Sequence, residues 1–166
     1  MGQEQEDLGL FDTIIYYLNN DGFEYELLEH DFIHSAQEAS KVRGTKLSES
    51  VKALIFEGTK IDDSKECIMA LVSGDKKVDS NLLKQSAGFV KIKLASPEKV
   101  QEITGLTIGK IPPLPFMFSL RGFFDEAILD EEKIAFSAAS HYKSIRMKPD
   151  DLLLLSQASK VQISKN

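Results

Sequence analysis

Two features of this chain carry residue types suited to chemistry. The first is Lys52, a lone cation in Ser50-Val51-Lys52-Ala53-Leu54-Ile55-Phe56, a run that otherwise reads as an apolar strand. A long amine at a strand end ordinarily carries its charge out to water along its own methylenes. Held over a pocket, the same ammonium binds a substrate carbonyl, a phosphate or a developing oxyanion. The second feature is Gly105 to Phe116, with two glycines and three prolines in a mostly uncharged stretch. Glycine lets a ligand approach the backbone and proline fixes that backbone, so the segment suits an oxyanion hole or a small-ligand clamp. It suits a tight connection between helix and strand equally well. Gly105-Leu106-Thr107-Ile108-Gly109-Lys110 is one residue short of a phosphate-binding loop and runs on into Ile-Pro-Pro, which argues against a nucleotide cradle.

Other chemistries find little support. His30, His34 and His141 are far apart and form no His-Glu-x-x-His or facial-triad spacing, so no metal site and no cofactor are expected. Cys67 is the single cysteine, which rules out an internal disulfide and a cysteine cage, and its place in a β-like run fits an inert buried thiol. Ser137, Ser140 and Ser144 lack a Gly-x-Ser-x-Gly elbow.

The elements that must position these residues follow from periodicity. Leu8, Phe11, Ile14, Ile15 and Leu18 recur at helical spacing and predict an amphipathic helix over 7–19; Phe23, Tyr25 and Leu27 alternate as a strand over 23–29. Ser35 with Glu38 opens a short helix ending near Gly44. Val51–Phe56 and Cys67–Val72 read as neighbouring strands, Asp79 caps a helix, Val90 to Leu94 alternate as a strand, and Ser96-Pro97 opens a helix closed by Gly105. Strands are expected at Met117–Phe124, Lys133–Ala138 and Ser144–Met147, and Lys148-Pro149-Asp150-Asp151 starts a last helix. Mixed strands with interspersed helices predict an α/β chain of the α+β kind.

The length of 166 residues, with 42% hydrophobic and 28% charged, predicts one globular domain over 1–166, with 1–20 an acidic N-terminal helix. No apolar run approaches the roughly 20 residues of a membrane span, and the acidic start is unlike a signal peptide, so a cytoplasmic location and no membrane partner are expected. The net charge of −6 hides an asymmetry. Residues 1–40 hold ten of the 26 acids and no Lys or Arg, so the rest sets 20 basic against 16 acidic side chains, a balance of +4 that permits a nucleic-acid partner.

Several segments, in order, resemble the family that joins free-standing YbaK-type deacylases to the editing insertion of bacterial prolyl-tRNA synthetases. They are His34 with Ala36 to Val42; Val51-Lys52-Ala53-Leu54; Val72-Ser73-Gly74-Asp75-Lys76-Lys77-Val78-Asp79; Ala95-Ser96-Pro97-Glu98; Thr104-Gly105 through Gly109-Lys110-Ile111-Pro112-Pro113; Phe136 to His141; and Pro149 to Leu152. The resemblance spans about residues 23 to 156 and implies a curved, largely antiparallel mixed sheet with flanking helices. It also implies a deep pocket for the aminoacyl group at the tRNA 3′ end. By resemblance Lys52 is the signature catalytic lysine, and Gly105, Gly109, Lys110 and Pro112, with the Ser140-His141 pair, are substrate-binding.

The implied activity is metal-independent hydrolysis of the ester of a mischarged aminoacyl-tRNA carrying a small amino acid, on tRNA(Pro) or a related tRNA. A synthetase is a second candidate partner, and a non-catalytic tRNA- or synthetase-binding adaptor is the alternative. Lys41, Arg43, Lys46, Lys143 and Arg146 are the candidates for phosphate contact. The sequence departs from the family at Lys110, where glycine is frequent, and at Ala139, where glycine is common. If Gly109 only admits the substrate, Gly109→Val should abolish turnover and spare stability.

Overall fold

The computed structural model describes residues 8–166. The elements are α1 (Leu8–Asn20), β1 (Tyr25–Glu29), α2 (Ala36–Arg43), β2 (Val51–Thr59), β3 (Lys65–Ser73), β4 (Lys77–Val78), α3 (Ser80–Ala87) and β5 (Lys91–Leu94). They continue with α4 (Pro97–Thr104), β6 (Arg121–Asp125), β7 (Ile134–Ser137), β8 (Lys143–Met147), α5 (Pro149–Ser156), β9 (Ser159–Val161) and β10 (Ser164–Lys165).

The main sheet has the order β5-β2-β3-β6-β9; its β5-β2 and β2-β3 pairs are antiparallel, and its β3-β6 and β6-β9 pairs are parallel. A second sheet, β1-β8-β7, is antiparallel throughout, and β10 pairs with β4. The expected mixed, mainly antiparallel α/β architecture is present. A single parallel bridge, Ser50 to Ala135, joins the entrance of β2 to β7. It brings the start of the lysine-bearing strand beside the second sheet.

Strand β3 explains why the main sheet sits where it does. Ile68, Met69, Ala70, Leu71 and Val72 are each 0% exposed, an unbroken apolar run of the kind found in strands covered on both faces. Because successive side chains alternate, Met69 and Leu71 enter one core with Ile14, Leu18, Phe124, Phe136, Ile145 and Leu152. Ile68, Ala70 and Val72 enter the other, with Phe56, Leu83, Phe89 and Ile163. The carboxylate of Asp125, at the end of β6, accepts from the Ile163 N–H at 2.9 Å and the Ser164 hydroxyl at 2.6 Å, so the C-terminal strand is held by a buried acid.

The capping signals act where expected. Ser35 Oγ accepts from the Glu38 N–H, Asp79 from the Asn81 and Leu82 N–H groups, and Ser96 from that of Lys99. Other expectations are corrected. Met117 and Phe118 belong to a 3₁₀ turn, Pro115–Phe118, which opens on a proline and ends at Ser119 in the left-handed conformation (φ 57°), so the strand begins only at Arg121. Strands β4, β9 and β10, each two or three residues, are too short to show periodicity. Within α1 the only acid is Asp12, and the helix buries Ile14 and Leu18 completely; Glu4, Glu6 and Asp7, the source of its expected acidity, lie outside the described residues.

Phe124 is 0% exposed at the centre of the larger core. Phe124→Ala should lower unfolding free energy by about 3–5 kcal/mol in a denaturant titration, the usual cost of a large aromatic truncation. A loss below about 1 kcal/mol would show that this core repacks freely.

Candidate active site

A cavity of about 160 Å³ opens where α2, the start of β2, the end of β7 and the Gly105–Pro113 loop meet. It is well below the roughly 300–1,000 Å³ of pockets for drug-sized ligands, so it suits a small group. Helix α2 contributes Ala36, Ala39 and Arg43, one face at i, i+3 and i+7; β2 contributes Ser50 to Leu54; the loop contributes Ile108, Gly109 and Ile111. Ser137 closes one side and Ile33, His34 and Ser35 form the approach to α2. Among the described residues the wall carries two cations, Arg43 and Lys52, and no Asp or Glu.

Lys52 is oriented by the backbone. Its Nζ donates to the Lys76 carbonyl at 2.8 Å, in the turn between β3 and β4. Burial holds its pKa below the ordinary lysine value, with Asp75 opposing the shift and Lys77 adding to it. The turn can stand this close because residue 74 is glycine: a Cβ there would lie 2.7 Å from the Leu47 carbonyl oxygen. The Gly74 N–H donates to the Ser50 carbonyl at 2.8 Å, tying the turn to the cavity wall. The Val72 to Asp79 motif, whose purpose is not legible in sequence, thus supplies the lysine's anchor.

Gly109 has φ 98°, and a Cβ on it would come within 3.0 Å of His141 Cε1. His141 is 4% exposed and lies behind the loop, its Nδ1–H donating to the Ile33 carbonyl at 2.8 Å and its Nε2 3.4 Å from Thr107 Oγ1. The imidazole is therefore a positioning residue for Gly109. This overturns the expectation that Gly109→Val spares stability, since any side chain there meets both backbone strain and the His141 ring. Among the other expected substrate contacts, Lys110 and Pro112 are buried, Gly105 caps α4, and Ser140 Oγ accepts from the Tyr142 N–H at 2.9 Å; none of the four lines the cavity. Ala139 takes φ 60°, the left-handed conformation that suits the glycine common in the resembled family.

Arg43 departs most from its expected place. It was a candidate for phosphate contact, and its guanidinium turns inward: Nε donates to Ser144 Oγ at 2.9 Å, and Nη1 and Nη2 to Ser50 Oγ and Ser137 Oγ at 3.4 Å each. Burial pushes its pKa down to about 10, which leaves it a cation at neutral pH. Behind it, His30 Nε2 lies 2.7 Å from Ser144 Oγ and Nδ1 2.8 Å from the Asp31 carbonyl. Ser50, Ser137, Ser144 and His30 were not expected at the site. Their types carry no spacing signal, because the contacts join residues up to 114 apart in sequence. Of the remaining surface candidates, Lys143 sits 4.6 Å over the Phe11 ring and Arg146 pairs with Glu49 at 3.7 Å, while Lys41 and Lys46 are exposed.

The family model for aminoacyl-tRNA editing domains matches residues 30–155, a span that includes every residue of this cavity wall. The chain belongs to the aminoacyl-tRNA editing domain family. The multifunctional Ser/Thr-tRNA deacylase ProXp-y of Escherichia coli strain K12 is 29% identical over 153 residues, 92% of this chain and 91% of the relative. A proline–tRNA ligase of Aquifex aeolicus is 33% identical over 79 residues, 48% of this chain and 13% of that protein. A crystal structure described as a candidate trans-editing enzyme for prolyl-tRNA synthetase superposes with a TM-score of 0.79 at 25% identity, covering 94% of this chain and 97% of that one.

Gly109→Ala in this editing domain should lower stability by about 1–3 kcal/mol, the usual cost of a strained left-handed residue, together with activity. Thermal unfolding checks it. An unchanged melting temperature would mean that the loop yields without involving His141.

Proposed function

We propose that the protein is a trans-editing deacylase that hydrolyses the ester linking a small, wrongly attached amino acid to the 3′ end of a tRNA. The observation that carries this reading is a small cavity walled, among the described residues, by two cations and no carboxylate, inside the stretch matched by the editing-domain model. Water adds to the ester carbon and the carbonyl oxygen takes up negative charge. The Lys52 ammonium, held by the Lys76 carbonyl, and backbone N–H groups of the Gly109 loop stabilise that oxyanion. The C–O bond to the ribose then breaks, the ribose oxygen receives a proton, and free amino acid and tRNA leave. With no acid or triad among the described residues of the cavity wall, a neighbouring ribose hydroxyl of the tRNA positions the water and relays its proton, as the family resemblance implies. No metal or cofactor takes part.

The acceptor end is the partner, and a tRNA substrate places the work in the cytoplasm. The ligase likeness supports a synthetase as a second partner, one that produces the mischarged tRNA. Lys41 and Lys46, the exposed members of the cationic set, make phosphate contact.

Three measurements test this. Incubation with a panel of mischarged tRNAs should release at least one small amino acid, equally well after chelator treatment. Lys52→Ala should cut the rate about 10²–10³-fold, the usual loss on removing one oxyanion donor, with little change in melting temperature. Full activity in the variant would remove Lys52 from the mechanism, and inactivation by chelator reversed by Zn²⁺ would replace it with a metal one. Lys41→Glu with Lys46→Glu should raise KM for charged tRNA and leave a minimal aminoacyl-adenosine nearly unaffected. Equal effects on both substrates would move these lysines away from the tRNA.

A further inference from the structure

We propose that β10, with Asp125 behind it, positions Lys52 for the reaction by fixing the turn whose carbonyl anchors the ammonium. The inference rests on the deacylase reading and deepens it. It concerns a strand that lies beyond residues 30–155, the span of the family match.

The Lys76 carbonyl, which accepts from Lys52 Nζ, stands between two unequal supports. On one side β3 runs in register with β2 from Val51 opposite Ser73 to Thr59 opposite Lys65, and the Gly74 N–H donates to the Ser50 carbonyl. On the other side is β4, only Lys77 and Val78. Its partner in the ladder is β10, which is equally short, with Ser164 opposite Val78 and Lys165 opposite Lys77. A two-stranded ribbon is marginal by itself, so the place of β10 has to be set from elsewhere.

Asp125 sets it. The carboxylate is 0% exposed; one oxygen accepts from the Ile163 N–H at 2.9 Å and the other from the Ser164 hydroxyl at 2.6 Å. A buried carboxylate is strongly disfavoured without donors, and bonds to it are stronger than bonds between neutral groups. These two contacts therefore define the path of the chain at 163–164. The Ile163 side chain packs with Phe56, Leu83 and Phe89, and its carbonyl accepts from the Asp79 N–H at 2.7 Å, just past the end of β4. Lys76 adds a surface tie, its Nζ donating to Asn166 Oδ1 at 2.7 Å. A continuous set of contacts thus runs from Asp125 through Ser164 and β4 to the Lys76 carbonyl and on to Lys52. A misplacement of about 1 Å in a reacting geometry can cost about 10²-fold in rate, so this support bears directly on turnover. Neither Asp125 nor Ser164 lines the cavity, and both are positioning residues that act through Lys52.

The test is kcat and KM of the intact protein on a mischarged tRNA that it hydrolyses, for Ser164→Ala, Ser164→Thr and Asp125→Asn, each made alone and in the Lys52→Ala background. Ser164→Ala should lower kcat about three- to tenfold and leave KM unchanged. Ser164→Thr keeps the hydroxyl and should keep wild-type kcat. Asp125→Asn turns one of the two acceptors into a donor and should lower kcat further. In the Lys52→Ala background Ser164→Ala should have no additional effect, because no ammonium is left to position. Thermal unfolding shows which variants are folded at the assay temperature, and Ser164→Ala decides the matter if Asp125→Asn does not fold. Unchanged kcat in folded Ser164→Ala, the same fold-loss in both backgrounds, or an equal loss in Ser164→Thr would each remove this inference alone. No hydrolysis of any charged tRNA by the wild type would remove the deacylase reading and this inference with it.

Discussion

The hydrogen bond from Lys52 Nζ to the Lys76 carbonyl is the contact on which the site depends. A carboxylate partner would orient the ammonium just as well but would spend its charge on an internal ion pair. A neutral carbonyl fixes direction and leaves the positive charge available to a developing oxyanion. The arrangement needs β2 and β3 in register from Val51 opposite Ser73 to Thr59 opposite Lys65, so that the turn after β3 returns over Lys52. It also needs Gly74, because only a residue without Cβ lets the turn close onto Leu47 and Ser50.

The same logic extends across the cavity. Arg43 is surrounded by serine hydroxyls, so a second, partly buried cation keeps its charge with no ion-pair partner among the described residues. Burying such a charge is costly unless hydrogen bonds replace water. Here three serine oxygens share that task, and the His30–Ser144 chain behind them sets the direction of each proton. The loop wall is shaped by exclusion: His141 packs against Gly109, and the backbone there takes a conformation that glycine adopts freely. One wall is thus defined by charge and the other by shape.

Much of this was legible in the residues. The apolar run of β3, the caps at Ser35, Asp79 and Ser96, the lone lysine of β2 and the glycine-proline loop each follow from local chemistry, which a sequence displays directly. Arg43 was misplaced because its neighbours Lys41 and Lys46 share its charge, and only the i, i+3, i+7 face with Ala36 and Ala39 separates it from them. His30, Ser50, Ser137 and Ser144 carried no signal, since they meet only when β1, β2, β7 and β8 assemble. The strand expected from Met117 gives way to a 3₁₀ turn that ends at the left-handed Ser119, while the two short C-terminal strands are joined through Ile163 and Ser164, which Asp125 holds.

The most direct test of the account is a crystal structure of the protein with a non-hydrolysable aminoacyl-amide analogue of the 3′-terminal adenosine. The analogue's carbonyl oxygen should lie within hydrogen-bond distance of Lys52 Nζ and a backbone N–H of the Gly109 loop. An analogue bound with its carbonyl away from Lys52 would contradict the account.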